Sequence, residues 1–233
     1  MDLIATLFER MDGWRHLPNY QLERRADLFF SLYLAEALEA KLGAAMQPLL
    51  VPEFPVRIGT IYPGIASDKS VKIDYVCFSA DLERVIFVEL KTEGASRRPE
   101  QDKYLLAAQR VGFGALLEGL LKIFAATAAK RKYFHLLDLL GRVGTLRIPE
   151  AMYEIVGRDS LAGIGQAAEG IEICCGAKRP EIIYLQPNGE GNDVLSFAEF
   201  KRTVERFNDP ISKRFAMSLD EWAGVKAGER TLK

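Results

Sequence analysis

The chain is poor in cysteine and histidine, carries almost no net charge and lacks a long apolar run. Only three cysteines and two histidines occur in 233 residues. Cys77, Cys174 and Cys175 form no Cys-x-x-Cys pair and are odd in number, so neither a disulfide framework nor a thiolate zinc site follows, and a reducing cytoplasm fits best. His16 and His135 stand far apart in the sequence, which argues against a zinc enzyme or a histidine-based nuclease. The net charge of −1 advertises no polyanion partner, so any nucleic-acid surface must be local. Five basic clusters are candidates: Arg97-Arg98, Lys130-Arg131-Lys132, Lys178-Arg179, Lys201-Arg202 and Lys213-Arg214. The most apolar stretch, 112–129, contains Glu118 and Lys122 and is unfit to span a bilayer, so no membrane partner is expected. Asp2, Glu9 and Arg10 make the N-terminus unlike a signal peptide. A Gly-x-Ser-x-Gly elbow and a Gly-Lys-Ser/Thr phosphate loop are both missing, which removes the serine hydrolases and P-loop nucleotidases.

What is present is a charged end on a predicted β-hairpin. Lys72-Ile73-Asp74-Tyr75-Val76 is followed by Val85-Ile86-Phe87-Val88-Glu89-Leu90-Lys91. Side chains alternate along a strand, so Val85, Phe87, Glu89 and Lys91 share one face, and Asp74, Val76 and Phe78 share a face of the strand before. Both faces of the second strand are apolar until Glu89, as in a strand covered on both sides. A turn centred on Asp81-Leu82 pairs Phe78 with Val85, Val76 with Phe87 and Asp74 with Glu89; a longer loop would shift that register. Two carboxylates about 5 Å apart at an effective dielectric of about 20 repel by roughly 3 kcal/mol. A divalent cation converts that repulsion into a binding site, and Mg²⁺ suits one or two carboxylates plus water and substrate phosphate. Lys91, on the same face, is placed to stabilise phosphoryl charge or position a water.

The surrounding pattern predicts a helix from about Asn19 to Leu42, capped by Asn19 and stopped by Gly43. A short edge strand near Phe54 to Ile58 lies among Pro48, Pro52 and Pro55. Strands are expected at about 71–79 and 84–91. A helix starting near Ser96 to Glu100, with Pro99 in its first turn, runs toward Gly112, Gly114 and Gly119. A helical insertion is expected over about 127–177. A buried strand between Pro180 and Pro187 follows, and then an amphipathic helix from Ser196 to Phe207 with Ser196 and Glu199 as a capping box. The order suggests one domain over 1–233, with its core at about 20–126 and 178–208. Its class is α/β, with a mixed sheet flanked by helices.

At Asp74…Glu89-Leu90-Lys91 the chain resembles the PD-(D/E)XK nuclease superfamily, which has a restriction-endonuclease-like fold. The resemblance implies an αβββαβ core with the helical insertion before its last strand. It also implies Mg²⁺, with Mn²⁺ as a substitute, held by Asp74, Glu89 and the Leu90 carbonyl, and Lys91 serving phosphodiester hydrolysis. Ile73 stands where many members have proline. Members of the superfamily also carry a first-helix glutamate that points to the metal; Glu23 is the first choice here, with Glu36 and Glu39 as runners-up. The stretch Glu89 to Tyr104 looks like the strand, loop and helix that follow the motif in several such nucleases. It makes Gln101 and Tyr104, three residues apart on one helix face, candidates for nucleic-acid contact. Arg97 and Arg98, beside a helix N-terminus, are candidates for a phosphate. The expected partner is nucleic acid, DNA first, with a homodimer left open. The alternative is a non-catalytic module on the same fold that binds nucleic acid or a protein.

Overall fold

The computed structural model describes residues 2–65, 67, 69–93, 99–176 and 178–224. In chain order the elements begin with three helices, α1 (Leu3–Trp14), α2 (Leu22–Ser31) and α3 (Leu34–Leu42), before the first strand, β1 (Val51–Arg57). The short α4 (Ile58–Ile61) leads into β2 (Ser70–Phe78) and β3 (Val85–Leu90), followed by α5 (Pro99–Val111), α6 (Phe113–Ala126) and α7 (Lys130–Val143). Then come β4 (Leu146–Arg147), α8 (Glu150–Val156), α9 (Ile164–Ala168) and β5 (Glu172–Ile173). The chain closes with β6 (Glu181–Gln186), β7 (Val194–Ser196), α10 (Phe197–Val204) and α11 (Pro210–Trp222). A five-stranded sheet has the order β1-β2-β3-β6-β7, and β4 and β5 form a separate two-stranded one. β1 is antiparallel to β2 and β6 is parallel to β7, so the central sheet is mixed and helices flank it. The expected α/β class with a mixed sheet is what the protein has.

Two compact units divide the chain. The first comprises Met1–Met46, Val88–Arg98 and Ile183–Lys233, the second Gln47–Phe87 and Pro99–Ile182. Aromatic packing organises the first unit. Phe30 meets Phe197, Phe200, Phe215 and Trp222, and α10 packs against α3 and α11. The capping box forms as the spacing predicts: Ser196 Oγ accepts from the Glu199 N–H, and the Glu199 carboxylate accepts from the Ser196 N–H. Such a cap is worth about 1 kcal/mol. α1 is tied to α11 by Asp12, which is buried and accepts from Arg214 at 2.5 Å and from Trp222 Nε1 at 2.9 Å.

In the second unit α6 lies on β1, and Phe113 packs against Phe54 and Phe78. Gly119 lets α6 approach α4 closely, because a Cβ added there would stand 2.4 Å from Thr60 Oγ1. Gly119→Ala is therefore expected to destabilise by about 1–3 kcal/mol through overpacking. The check is a denaturant midpoint for Gly119→Ala, beside Gly119→Ala combined with Thr60→Ala; an undisturbed single variant would refute the close approach.

The single helix expected over Asn19 to Leu42 is two helices. α2 stops at Ser31, and Tyr33 leaves helical geometry at φ −124°, ψ 0° before α3 begins. The reason is tertiary: Tyr33 is buried against Phe200, Phe207 and Phe215, with its hydroxyl 2.8 Å from Ser212 Oγ. No Gly or Pro marks that break. Asn19 is not a cap; it takes a left-handed φ of 65° in the turn before α2, and Gln21 occupies the N-cap position with no side-chain bond. Gly43 ends α3 at φ 64°, as the stop signal predicted. Gly112, at φ 83°, divides α5 from α6. The helix expected from Ser196 to Phe207 ends at Val204, and β7, α1 and α11 have no counterpart among the expected elements.

Candidate functional site

Glu89 is the last residue but one of β3, and Lys91, just past its end, follows by the two-residue period that puts both on one face. β3 is buried along its whole length, because Val85, Phe87, Ile86, Val88 and Leu90 supply apolar side chains to both faces, and the burial continues through the charged end. Glu89 is 1% exposed and Lys91 4%. Lys91 Nζ donates to Glu89 Oε1 at 2.7 Å and to the Leu90 carbonyl at 3.1 Å. The Lys91 backbone N–H donates to the Leu185 carbonyl of β6 at 2.8 Å, so the main chain beneath the pair is pinned. Removing two opposite charges from water costs several kcal/mol per ion, offset by their attraction and hydrogen bonds. That cost makes a pair this deep uncommon on a strand that could equally end in leucine.

In the second unit, Asp74 is half-buried on β2 and makes contacts within the chain. Its neighbours Ile73 and Tyr75 pair with Phe54 and Pro52 of β1. The turn between β2 and β3 closes between Ser79 and Arg84: the Ser79 N–H donates to the Arg84 carbonyl at 3.1 Å, and Leu82 adopts a left-handed φ of 60°. Asp81 accepts from Ser79 Oγ and from the Glu83 N–H, and its carboxyl is held below the usual carboxylate range by these bonds, the serine hydroxyl foremost. Tyr104 is half-buried on α5 and donates its hydroxyl to the Lys72 carbonyl at 3.1 Å. It thereby ties α5 to β2 two residues from Asp74. Gln101 is half-buried one turn earlier. Arg97 and Arg98 lie outside the described residues.

Glu23 sits in the first turn of α2, half-buried and in contact with the chain. Glu36 and Glu39 are exposed on α3 and line a surface pocket with Gly43, Ala44 and Arg206. No group of three or more His, Cys, Asp or Glu suited to a metal is found among the described residues. Asp74, Glu89 and the Leu90 carbonyl are hard oxygen donors of the kind Mg²⁺ takes while keeping several waters, so the donor chemistry fits that ion.

The basic clusters are largely committed within the chain. Lys130 donates to the carbonyls of Phe124 and Ala125 at the end of α6, and Arg131 to those of Val156, Arg158 and Asp159 at the end of α8. Cations at helix C-termini satisfy the last carbonyls and complement the helix dipole. Lys178 grips Leu82 and Glu83, Lys201 pairs with Asp220, and Arg214 with Asp12. Lys132, Arg179, Arg202 and Lys213 stay exposed. Sequence reading also missed how the turn is fastened. Arg84 binds Glu181 through two parallel bonds at 2.7 and 2.8 Å, beside the Lys178 grip. Its only trace in the sequence is opposite charge at both places, Glu83-Arg84 and Lys178 to Glu181, which is too common to stand out.

No family model, curated protein or solved structure matches this chain.

Proposed function

We propose that the protein is a Mg²⁺-dependent nuclease that hydrolyses phosphodiester bonds in DNA. The observation that carries the reading is the buried Glu89–Lys91 pair at the end of an otherwise apolar strand, pinned through Leu185. The Ser79–Arg84 closure gives further support. It is a tight connection between β2 and β3 around Asp81-Leu82, the turn on which the expected hairpin is centred. On this reading Asp74, Glu89 and the Leu90 carbonyl hold the cation, which when bound polarises the phosphate and acidifies a water. Lys91 has three N–H donors. Two go to Glu89 and Leu90, and the third serves a non-bridging phosphoryl oxygen as negative charge grows on it. Tyr104 fixes the segment of β2 next to Asp74. The same site is what a PD-(D/E)XK nuclease would need, and that membership is part of the proposal. Incubating the purified chain with supercoiled, linear and single-stranded DNA, with Mg²⁺, Mn²⁺ or chelator, tests it. Cleavage that needs the cation is expected, and uncleaved DNA under every condition would refute the reading.

A non-catalytic module on the same fold is the second reading. The depth of Lys91 favours it, since a buried pair can serve as a strand-end tie, and so does the internal commitment of the basic clusters, because phosphate contacts supply most non-specific affinity. Calorimetric titration with Mg²⁺ separates the two. Binding that is lost in Asp74→Asn supports the nuclease, and no binding at millimolar concentration supports the module.

A further inference from the structure

Cys174 and Cys175 are neighbours in the sequence and lie outside any helix or strand, just past β5 in the second unit. Both are free thiols, Cys174 exposed and Cys175 half-buried. The main chain is held on either side of them. The Cys174 N–H donates to the Thr145 carbonyl at 2.9 Å. At the other end the Lys178 carbonyl accepts from the Phe113 N–H at 2.8 Å, and the Lys178 ammonium grips Leu82 and Glu83. Between these anchors Gly176 is exposed, with nothing within 4 Å of where a Cβ would stand, so the short span has room to change conformation. The third cysteine, Cys77, is fully buried on β2, and burial pushes its thiol far above the ordinary range. Thiol oxidation follows exposure and thiolate character, so a small oxidant in water meets the adjacent pair and not Cys77.

We propose that Cys174 and Cys175 are a reversible oxidation site, at which hydrogen peroxide closes a disulfide between the two neighbours. Cys174 meets the oxidant first because it is the exposed one. Its thiolate sulfur attacks a peroxide oxygen, the O–O bond breaks, and the sulfur becomes a sulfenic acid; the departing hydroxide takes up the proton the thiol gave away. Burial foremost raises the Cys175 thiol, against the pull of its own backbone and of the Lys178 ammonium, so Cys175 keeps its proton until the second step. There its sulfur attacks the sulfenic sulfur, the S–O bond breaks, and the hydroxide leaves with the Cys175 proton as a second water. The two sulfurs lose two electrons and the peroxide gains them. Consecutive Cα atoms stand about 3.8 Å apart across a trans peptide, short of the roughly 4.4–6.8 Å that disulfides span. The bond is therefore strained, and strained, exposed disulfides are the ones that thiols readily reduce. Such a bond serves as a passing modification and not as a fastening. This inference does not rest on the nuclease reading.

Treating the reduced full chain with a modest molar excess of hydrogen peroxide tests it, with thiols counted in denaturant beside the intact mass. The three thiols of the chain should fall to one, and the peptide that carries both Cys174 and Cys175 should be lighter by two hydrogens. Reduced glutathione should restore all three thiols. Cys175→Ser should stop at the Cys174 sulfenic acid, which dimedone captures. Cys174→Ser should lose the reaction and keep both remaining thiols titratable. Each variant exchanges a sulfur for an oxygen in an accessible loop, and an unchanged circular-dichroism spectrum confirms that it is folded. Three thiols surviving the peroxide, oxygen gained with no disulfide, disulfide-linked dimers, a bond that glutathione leaves intact, or dimedone capture in Cys174→Ser instead of Cys175→Ser would each overturn the assignment.

Discussion

Asp74→Asn protein is expected to leave DNA uncut in Mg²⁺ while melting close to the parent temperature. The change removes charge but keeps volume at a half-buried position, and losing one group that stabilises transition-state charge slows such reactions on the order of 10²–10³-fold. Lys91→Ala is expected to be equally inactive but not equally stable. Lys91 is the ammonium against the 1%-exposed Glu89, and removing one partner of a buried pair costs about 3–5 kcal/mol because the other charge stays buried. Loss of activity in Lys91→Ala alone therefore cannot separate chemistry from folding. Glu89→Gln with Lys91→Met removes both charges at similar volume; it should recover most of the stability and none of the cleavage. The measurements are a nicking assay on supercoiled DNA and a urea midpoint for each variant. Cleavage by Asp74→Asn at the parent rate would sink the nuclease reading. A Lys91→Ala chain as stable as the parent would refute the energetic account of the pair.

The second large effect lies far from the strand end. Asp12→Ala should destabilise the protein by about 3 kcal/mol, since it leaves Arg214 and the Trp222 N–H without their buried acceptor. For a chain of this size that corresponds to a melting point lower by roughly 6–12 °C. Asp12→Asn keeps an acceptor for Trp222 and should lose less. Because Asp12 fastens α1 to α11, intrinsic tryptophan fluorescence should report the change directly through Trp222. Equal melting of Asp12→Ala and the parent would refute the role assigned to Asp12.

The sequence made legible whatever local rules govern. β2 and β3 came from alternation, the end of α3 from Gly43, and the start of α10 from the Ser196–Glu199 box, each within about two residues. The parity that puts Glu89 and Lys91 on one face of a strand also holds. What stayed hidden is what tertiary packing decides. The break at Tyr33 has no local signal, because its cause is a set of rings more than 160 residues further on. α1 and α11 escaped notice because each is held by the other, and β7 is too short to carry a pattern. Basic clusters such as Lys130-Arg131 read as surface charge in one dimension, whereas in three they close helix ends.

The first unit also has a consequence for how the chain is made. Asp12 waits for partners 202 and 210 residues away, and a ribosome adding about 5–20 residues per second delivers them roughly 10–40 s later. Late in that interval the second unit is finished, at Ile182, and can assemble, while Phe8 and Phe29 of the nascent chain still have no α11 to cover them. The N-terminal hairpin is therefore the segment a holdase chaperone would meet first. A truncation that stops short of Pro210 would leave that hydrophobic surface permanently bare.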